Sequence, residues 1–466
     1  MKDFKIKRLI NHSIIFAIGN LGSKLITFLM LPLYTAILSQ ENFGKVDLLM
    51  TTISLMTPII SLSVFEGVLR FCMDNKYKKE KIITNGLFIS VVGGSFLVLL
   101  IPTMLVFKVH YASVVCIILF AQSIQMLFSY YAKSTNNLDI FAQNGIFLSV
   151  MTAVFNIIFL VFLRLGVNGY FYSMLLSLIL SNIWLIYKLK IIHQLSMKFL
   201  DFYLMRELLK YSLPIIPNSI ALWINNVANR YFILFFVGSY ANGIFAVANK
   251  IPTLIGVLNT IFFQAWQISV IEQFDSENKE VFYAQSFYLY SNFLFLGVSG
   301  LLVILRPLIS LLVNESFYSA WKYVPLLLIS VLYASFSGFF GQYYIASKKT
   351  NGLFNTTIIG AFINLVFNFF LIKRFSLIGA GISSIVSFLC LWIIRIFETK
   401  KIVKTELNYK NLILNHIVLV LQITFMYMCA KNFYKLLIIE MSLFLLLVIL
   451  NVRQVFSKYK RTNFEK

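Results

Sequence analysis

The chain has 466 residues, 59% hydrophobic and only 12% charged, with a mean hydropathy of +0.83 and a formal net charge of +22. A water-soluble domain carries roughly 25% charged residues, so this composition excludes a soluble globular protein. The positive charge could signal a nucleic-acid binder, but the lysines and arginines sit in short polar turns between apolar blocks, which excludes that partner and fits the positive-inside bias of membrane proteins.

A helix needs about 20 apolar residues to cross a bilayer. Taken in chain order, the apolar blocks predict spans at 10–37, 46–71, 83–107, 112–132, 140–163, 168–191, 212–237, 241–271, 285–313, 322–346, 353–372, 376–397, 411–430 and 433–452. The expected fold is therefore all-α: a polytopic membrane protein of about 14 transmembrane helices. The basic start followed by a long apolar run without a small-residue cleavage site reads as an uncleaved first helix. With both termini in the cytoplasm, the Lys and Arg of cytoplasmic segments outnumber those of external loops by about three to one, which fixes the expected orientation.

The longest polar segment, 192–211, predicts a cytoplasmic linker with a short surface helix. It divides the chain into an N-terminal six-helix lobe (1–191), a C-terminal six-helix lobe (212–397), and a last helix pair with a basic tail (398–466). The halves carry an internal repeat. Tyr130-Tyr131 matches Tyr343-Tyr344, and Val154-Phe155-Asn156 matches Val366-Phe367-Asn368, at nearly the same offset. Parallel repeats of this kind are a common transporter design.

Polar residues inside spans point to what each helix faces. In the first span Asn20, Lys24, Thr27 and Tyr34 recur at helical spacing. The seventh repeats the feature with Asn218, Asn225 and Asn229, and carries Arg230. In the eighth, Asn242, Asn249, Thr253, Gly256, Thr260, Gln264 and Gln267 fall within about 40° of one line at 100° per residue. Single Asn or Gln residues serve helix packing in any bundle, whereas the full stripe predicts a cavity wall. A Lys or Arg at a helix centre costs about 2.5–3.5 kcal/mol on insertion scales, so Lys24, Lys250 and Arg230 are candidate substrate-binding cations, with Asn249, Asn20 and Gln264 beside them. Arg70 and Glu66, four residues apart, predict a helical ion pair or coupling element. Cations outnumber acids within the spans, so the path suits an anion.

The residues Pro32-Leu33-Tyr34-Thr35-Ala36-Ile37-Leu38-Ser39, Phe43-Gly44, Ser54-Leu55 and Leu69-Arg70-Phe71 resemble the Wzx-type polysaccharide flippases of the O-antigen and capsule systems. Gly243-Ile244-Phe245-Ala246-Val247-Ala248-Asn249-Lys250 and Phe263-Gln264-Ala265-Trp266 extend the resemblance over essentially the whole chain, although Gln267-Ile268-Ser269 replaces a proline that relatives often place there. The resemblance implies a two-lobed bundle in a bacterial inner membrane, with a central cationic cavity open alternately to either side. Its substrate would be an undecaprenyl-pyrophosphate-linked oligosaccharide, with Lys24 and Lys250 as the matching cavity cations. Such a role also implies the lipid bilayer, a polysaccharide polymerase and glycosyltransferases as partners.

Rival functions are a multidrug antiporter of the same superfamily and a membrane polymerase or glycosyltransferase. The enzyme is disfavoured by the six scattered Asp residues, with no Asp-x-Asp, and by short external loops. His12, His110, His193 and His416 suggest no acid–base site, and Cys72, Cys116, Cys390 and Cys429 no metal site. No cofactor is expected.

Overall fold

In the computed structural model, residues 22–74, 76–106, 111–347, 349–429 and 432–464 are described. They are helical, with no strand among them. In chain order the main helices are α1 (Gly22–Ile37), α2 (Gln40–Ile60), α3 (Val64–Met73), α4 (Lys79–Val106), α5 (Ala112–Ser134), α6 (Leu138–Asn156), α7 (Gly166–Lys188), α8 (Phe202–Ser212) and α9 (Ile215–Val227). They continue with α10 (Asn229–Phe236), α11 (Ser239–Lys250), α12 (Pro252–Glu272), α13 (Lys279–Leu312), α14 (Val324–Ala346), α15 (Thr350–Thr399), α16 (Tyr409–Met428) and α17 (Phe433–Phe464). Ten candidate spans among the described residues are long and apolar enough to cross a membrane, and the shorter apolar α1 stands beside them. One of the ten, α15, is two helices merged across a kink at Ser376. A bilayer offers no water to unpaired backbone groups, which is why so apolar a chain is helical nearly throughout.

The chain forms two compact units. One holds the described residues up to Tyr231 together with Ser239–Gly243; the other holds Phe232–Gly238 and the described residues from Ile244 onward.

In the first unit, small residues let helices approach closely, as packing in lipid requires. Ser173, Ser177 and Ser181 of α7 are fully buried at intervals of four, and Ser181 donates to Asn144 of α6, which donates in turn to Ser129 of α5. The surface helix α8 forms as expected. Asp201 caps it by accepting from the Tyr203 and Leu204 N–H groups, and its Leu204, Met205 and Leu208 face is buried against α3 and α4. Lys81 pairs with Asp201 at 2.5 Å and holds that carboxyl below the usual carboxylate range, with the two cap bonds acting in the same direction.

The second unit is built on aromatic rings. Phe262 stacks on Tyr290 at 3.9 Å, Trp266 on Phe339 at 4.3 Å, and Phe287 meets Phe336, Phe339 and Phe340 edge-on or tilted. Each such pair adds about 0.5–1.5 kcal/mol beyond area burial. Buried Arg395 spreads its guanidinium over Thr356, Thr357 and Ser337, tying the two halves of α15 to α14.

The internal repeat has a structural counterpart inside each unit. Asn156 and Asn368 are both fully buried, and each bonds to the residue four positions earlier, the Thr152 carbonyl and the Asn364 side chain. Eight residues beyond each, at Arg164 and Ser376, the backbone turns through φ of 51°. Both matches keep the repeat register read from the sequence.

Candidate substrate-binding site

Four elements of the first unit meet around Asp47. Arg230, at the start of α10, sets Nε 2.5 Å from Asp47 Oδ2 of α2, and the two side chains are only 11% and 13% exposed. Tyr231 OH lies 2.6 Å from Thr52 Oγ1, and Trp223 of α9 donates its indole N–H to the Thr51 carbonyl and Ser54 Oγ. Asn242 of α11 is fully buried and donates to the Gly44 carbonyl.

Two glycines make this approach possible. A Cβ on Gly44 would overlap the Ser239 carbonyl, and one on Gly243 would overlap the Gln40 carbonyl. Both are motif residues. Their role is a reciprocal backbone contact between the first turns of α2 and α11, where any side chain would push the helices apart.

Lys24 lies on an exposed face of α1 with Thr27, whose hydroxyl donates to the Ser23 carbonyl. Pro32 falls in the first turn after a break at Met30, so the far end of α1 turns a different face. Tyr34 there is buried, accepts from Asn156 Nδ2 at 3.1 Å and packs edge-on against Tyr170. Asn20, expected on the same stripe, lies outside the described residues.

In the second unit, Lys250 is half-buried and ends α11 where Pro252 opens α12. Pro252 has no N–H to donate, so the ladder breaks there. Leu254 N–H then reaches the Ile251 carbonyl three residues back, and Thr253 Oγ1 bonds the Lys250 carbonyl. Ile251 keeps helical dihedrals, so the cation sits at a proline gap in the hydrogen-bond ladder of a helix that otherwise continues.

The polar stripe divides at that break. Asn242 is spent on packing. Asn249 donates to the Phe245 carbonyl and remains half-exposed. On α12, Thr253 and Gln267 are exposed, Thr260 is half-exposed and donates to the Gly256 carbonyl, and space stands open beyond Gly256. The side chain of Gln264 lies outside the described set. The opposite face of α12 is packed: Ile255, Trp266 and Val270 are buried, and Asn259 donates to Ser335 and accepts from Tyr290.

The ion pair expected between Arg70 and Glu66 is replaced by another. Arg70 Nη1 lies 2.8 Å from Asp74, at i+4 rather than i−4. Glu66, in the first turn of α3, turns instead toward Lys133 and Tyr130 of α5. Arg230 was foreseen as a cation, but its partner Asp47 was not. The structure also shows a groove of about 610 Å³ in the second unit, apolar and lined by Tyr333, Trp392, Phe397, Leu412, His416 and Val420, remote in sequence from Lys250.

The profile of the polysaccharide biosynthesis protein family matches residues 9–268, more than half of the sequence. The chain belongs to that family. The resemblance to polysaccharide flippases read from the motifs is thereby borne out at family level. Its fold is similar to that of an inward-facing multidrug resistance MATE transporter of the MOP superfamily, at 14% identity and TM-score 0.69 over 83% of this chain and 98% of that one. The lipid II flippase MurJ, in an inward closed conformation, is similar at 14% identity and TM-score 0.69, over 96% of this chain and the whole of that one. An uncharacterized membrane protein of Methanocaldococcus jannaschii is 24% identical over 185 residues, a match covering 38% of this chain and 36% of that relative. The chain is thus a multi-pass membrane protein of the polysaccharide biosynthesis family with a fold like that of MATE and MurJ.

Proposed function

We propose that this protein moves an undecaprenyl-pyrophosphate-linked oligosaccharide from the cytoplasmic to the external leaflet of a bacterial inner membrane, by alternating access, for surface polysaccharide assembly. The observation that carries the reading is the cation at the proline gap of a polar-faced helix, Lys250 on the α11–α12 element, in a chain of the polysaccharide biosynthesis family. A pyrophosphate must cross hydrocarbon, where an uncompensated charge is strongly disfavoured. Lys24 and Lys250 supply the replacement counter-charge, supplemented by the Asn249 amide and, in the sequence reading, by Gln264 and Asn20. Arg230, the third candidate cation, is paired with Asp47 in this structure. The inside-negative potential then favours outward movement of the bound anion by about 2.3 kcal/mol per elementary charge per 100 mV. The excess of Lys and Arg in cytoplasmic loops supports placing both termini inside.

The similarity to MATE transporters favours a second reading, a multidrug antiporter. The excess of cations over acids in the spans argues for an anionic cargo instead. Deleting the gene in a strain without a paralogue decides between them. The flippase reading predicts loss of surface polymer with lipid-linked oligosaccharide retained on the cytoplasmic leaflet. Normal polymer with altered drug sensitivity would favour the antiporter.

A further inference from the structure

Glu440 is the most deeply buried acid of the second unit, 1% exposed on α17 and roughly 10 Å from its first residue. Neither carboxylate oxygen has a hydrogen-bond partner among the described residues. Two helices pack on α17, and each brings a polar side chain toward the same level. Gln422 of α16, itself fully buried, donates Nε2 to the Glu440 carbonyl at 3.4 Å and accepts at Oε1 from Ser299 Oγ of α13 at 2.7 Å.

The charged and titratable groups of these helices are engaged elsewhere. Arg306 of α13 donates to Tyr318 and lies over Trp321. Tyr283 donates to the Val270 carbonyl and Tyr290 to Asn259. Tyr288 lies by the Asn292–Asn411 pair, and Lys279 and Glu280 stand at the far start of α13. On α16, the His416 ring packs against Phe295 and Tyr333, and Tyr427 donates to the Lys322 carbonyl. Tyr409 and Lys410 open α16, and Tyr434 and Lys435 of α17 are exposed. No ion pair reaches Glu440 among the described residues.

An isolated carboxylate in a medium without water is among the most disfavoured groups a protein can bury. Something of unit positive charge must neutralise it. We propose that Glu440 is the binding site of one monovalent cation, a proton or a sodium ion, beside the Gln422–Ser299 pair. The proton converts the carboxylate to a neutral acid. Sodium leaves the carboxylate ionised and compensates its charge.

The test is infrared difference spectroscopy of the full chain in lipid nanodiscs without substrate, comparing wild type with Glu440→Gln at several pH values and sodium concentrations. A carboxylic-acid carbonyl band present in wild type, absent in Glu440→Gln and indifferent to sodium identifies the proton. A carboxylate band that moves with sodium, together with radioactive sodium binding that falls to background in Glu440→Gln, identifies sodium. Ser299→Ala should shift the same band without removing it, and this variant serves if Glu440→Gln does not fold. An ionised Glu440 band insensitive to sodium, with no bound sodium, overturns the proposal. Because the readout is cation occupancy, intact binding in a protein that flips no lipid-linked sugar would contradict the proposed function and leave the site standing.

Discussion

Arg230 and Asp47, 183 positions apart in the chain, form an ion pair that is almost closed to solvent. It draws the start of α10 onto α2. Arg230 Nη1 nevertheless has no hydrogen-bond partner among the described residues. Removing one partner of a buried pair leaves an uncompensated charge and costs about 3–5 kcal/mol. Asp47→Asn and Arg230→Gln should each lower the melting temperature of the purified protein, and the Asp47→Arg/Arg230→Asp exchange should recover most of the loss. Equal melting of all four proteins would show that the contact contributes nothing.

Gly44→Ala and Gly243→Ala test the backbone contact between α2 and α11. Each added methyl would meet a carbonyl oxygen, and overpacking of this kind costs about 1–3 kcal/mol. Reduced melting temperature and reduced surface polymer are expected from both. Gly145→Ala is the control, because nothing lies within 4 Å of a Cβ there.

Cysteine labelling separates the faces of α12. In a cysteine-free background, cysteines at Thr253, Thr260 and Gln267 should react with hydrophilic thiol reagents. Those at Asn259, in the packed face, and at Ile261, on an apolar face, should be protected. Uniform reactivity would return the polar stripe to ordinary helix packing.

Lys81 and Asp201 give a pH dependence outside the spans. Lys81 lowers the Asp201 pKa in the folded chain, so the pair contributes stability above the carboxyl's unfolded value and loses it as pH falls through the lower folded value. Asp201→Asn should remove this acid-side component from melting curves measured across that window. An unchanged acid limb would contradict it.

The sequence revealed helices more readily than the contacts between them. Apolar blocks located the helices, although the expected spans 46–71, 212–237 and 241–271 are each interrupted in the structure, and the repeat register predicted that Asn156 and Asn368 would occupy like positions. Local periodicity also put Lys250 within the eighth span, but the interruption beside it at Pro252 was not read. The pairing of Arg230 with Asp47 was not legible, because no periodic rule links residues on separate helices. Arg70 shows a subtler limit. Helical spacing offers it both Glu66 and Asp74, and spacing alone does not say that Asp74 is the partner. Asn242 fitted the polar stripe by angle, but its hydrogen bond to Gly44 depends on a glycine contact that angle alone does not contain.

The central claim is that positive charge at Lys24 and Lys250 carries the pyrophosphate across the membrane. It is tested most directly by complementing a deletion strain with charge-keeping and charge-removing variants, with membrane abundance measured in parallel. Lys24→Arg and Lys250→Arg should retain substantial surface polymer. Lys24→Gln and Lys250→Gln, at wild-type abundance, should lose most of it and hold lipid-linked oligosaccharide on the cytoplasmic leaflet. Full surface polymer from both glutamine variants would contradict the account and place the pyrophosphate elsewhere.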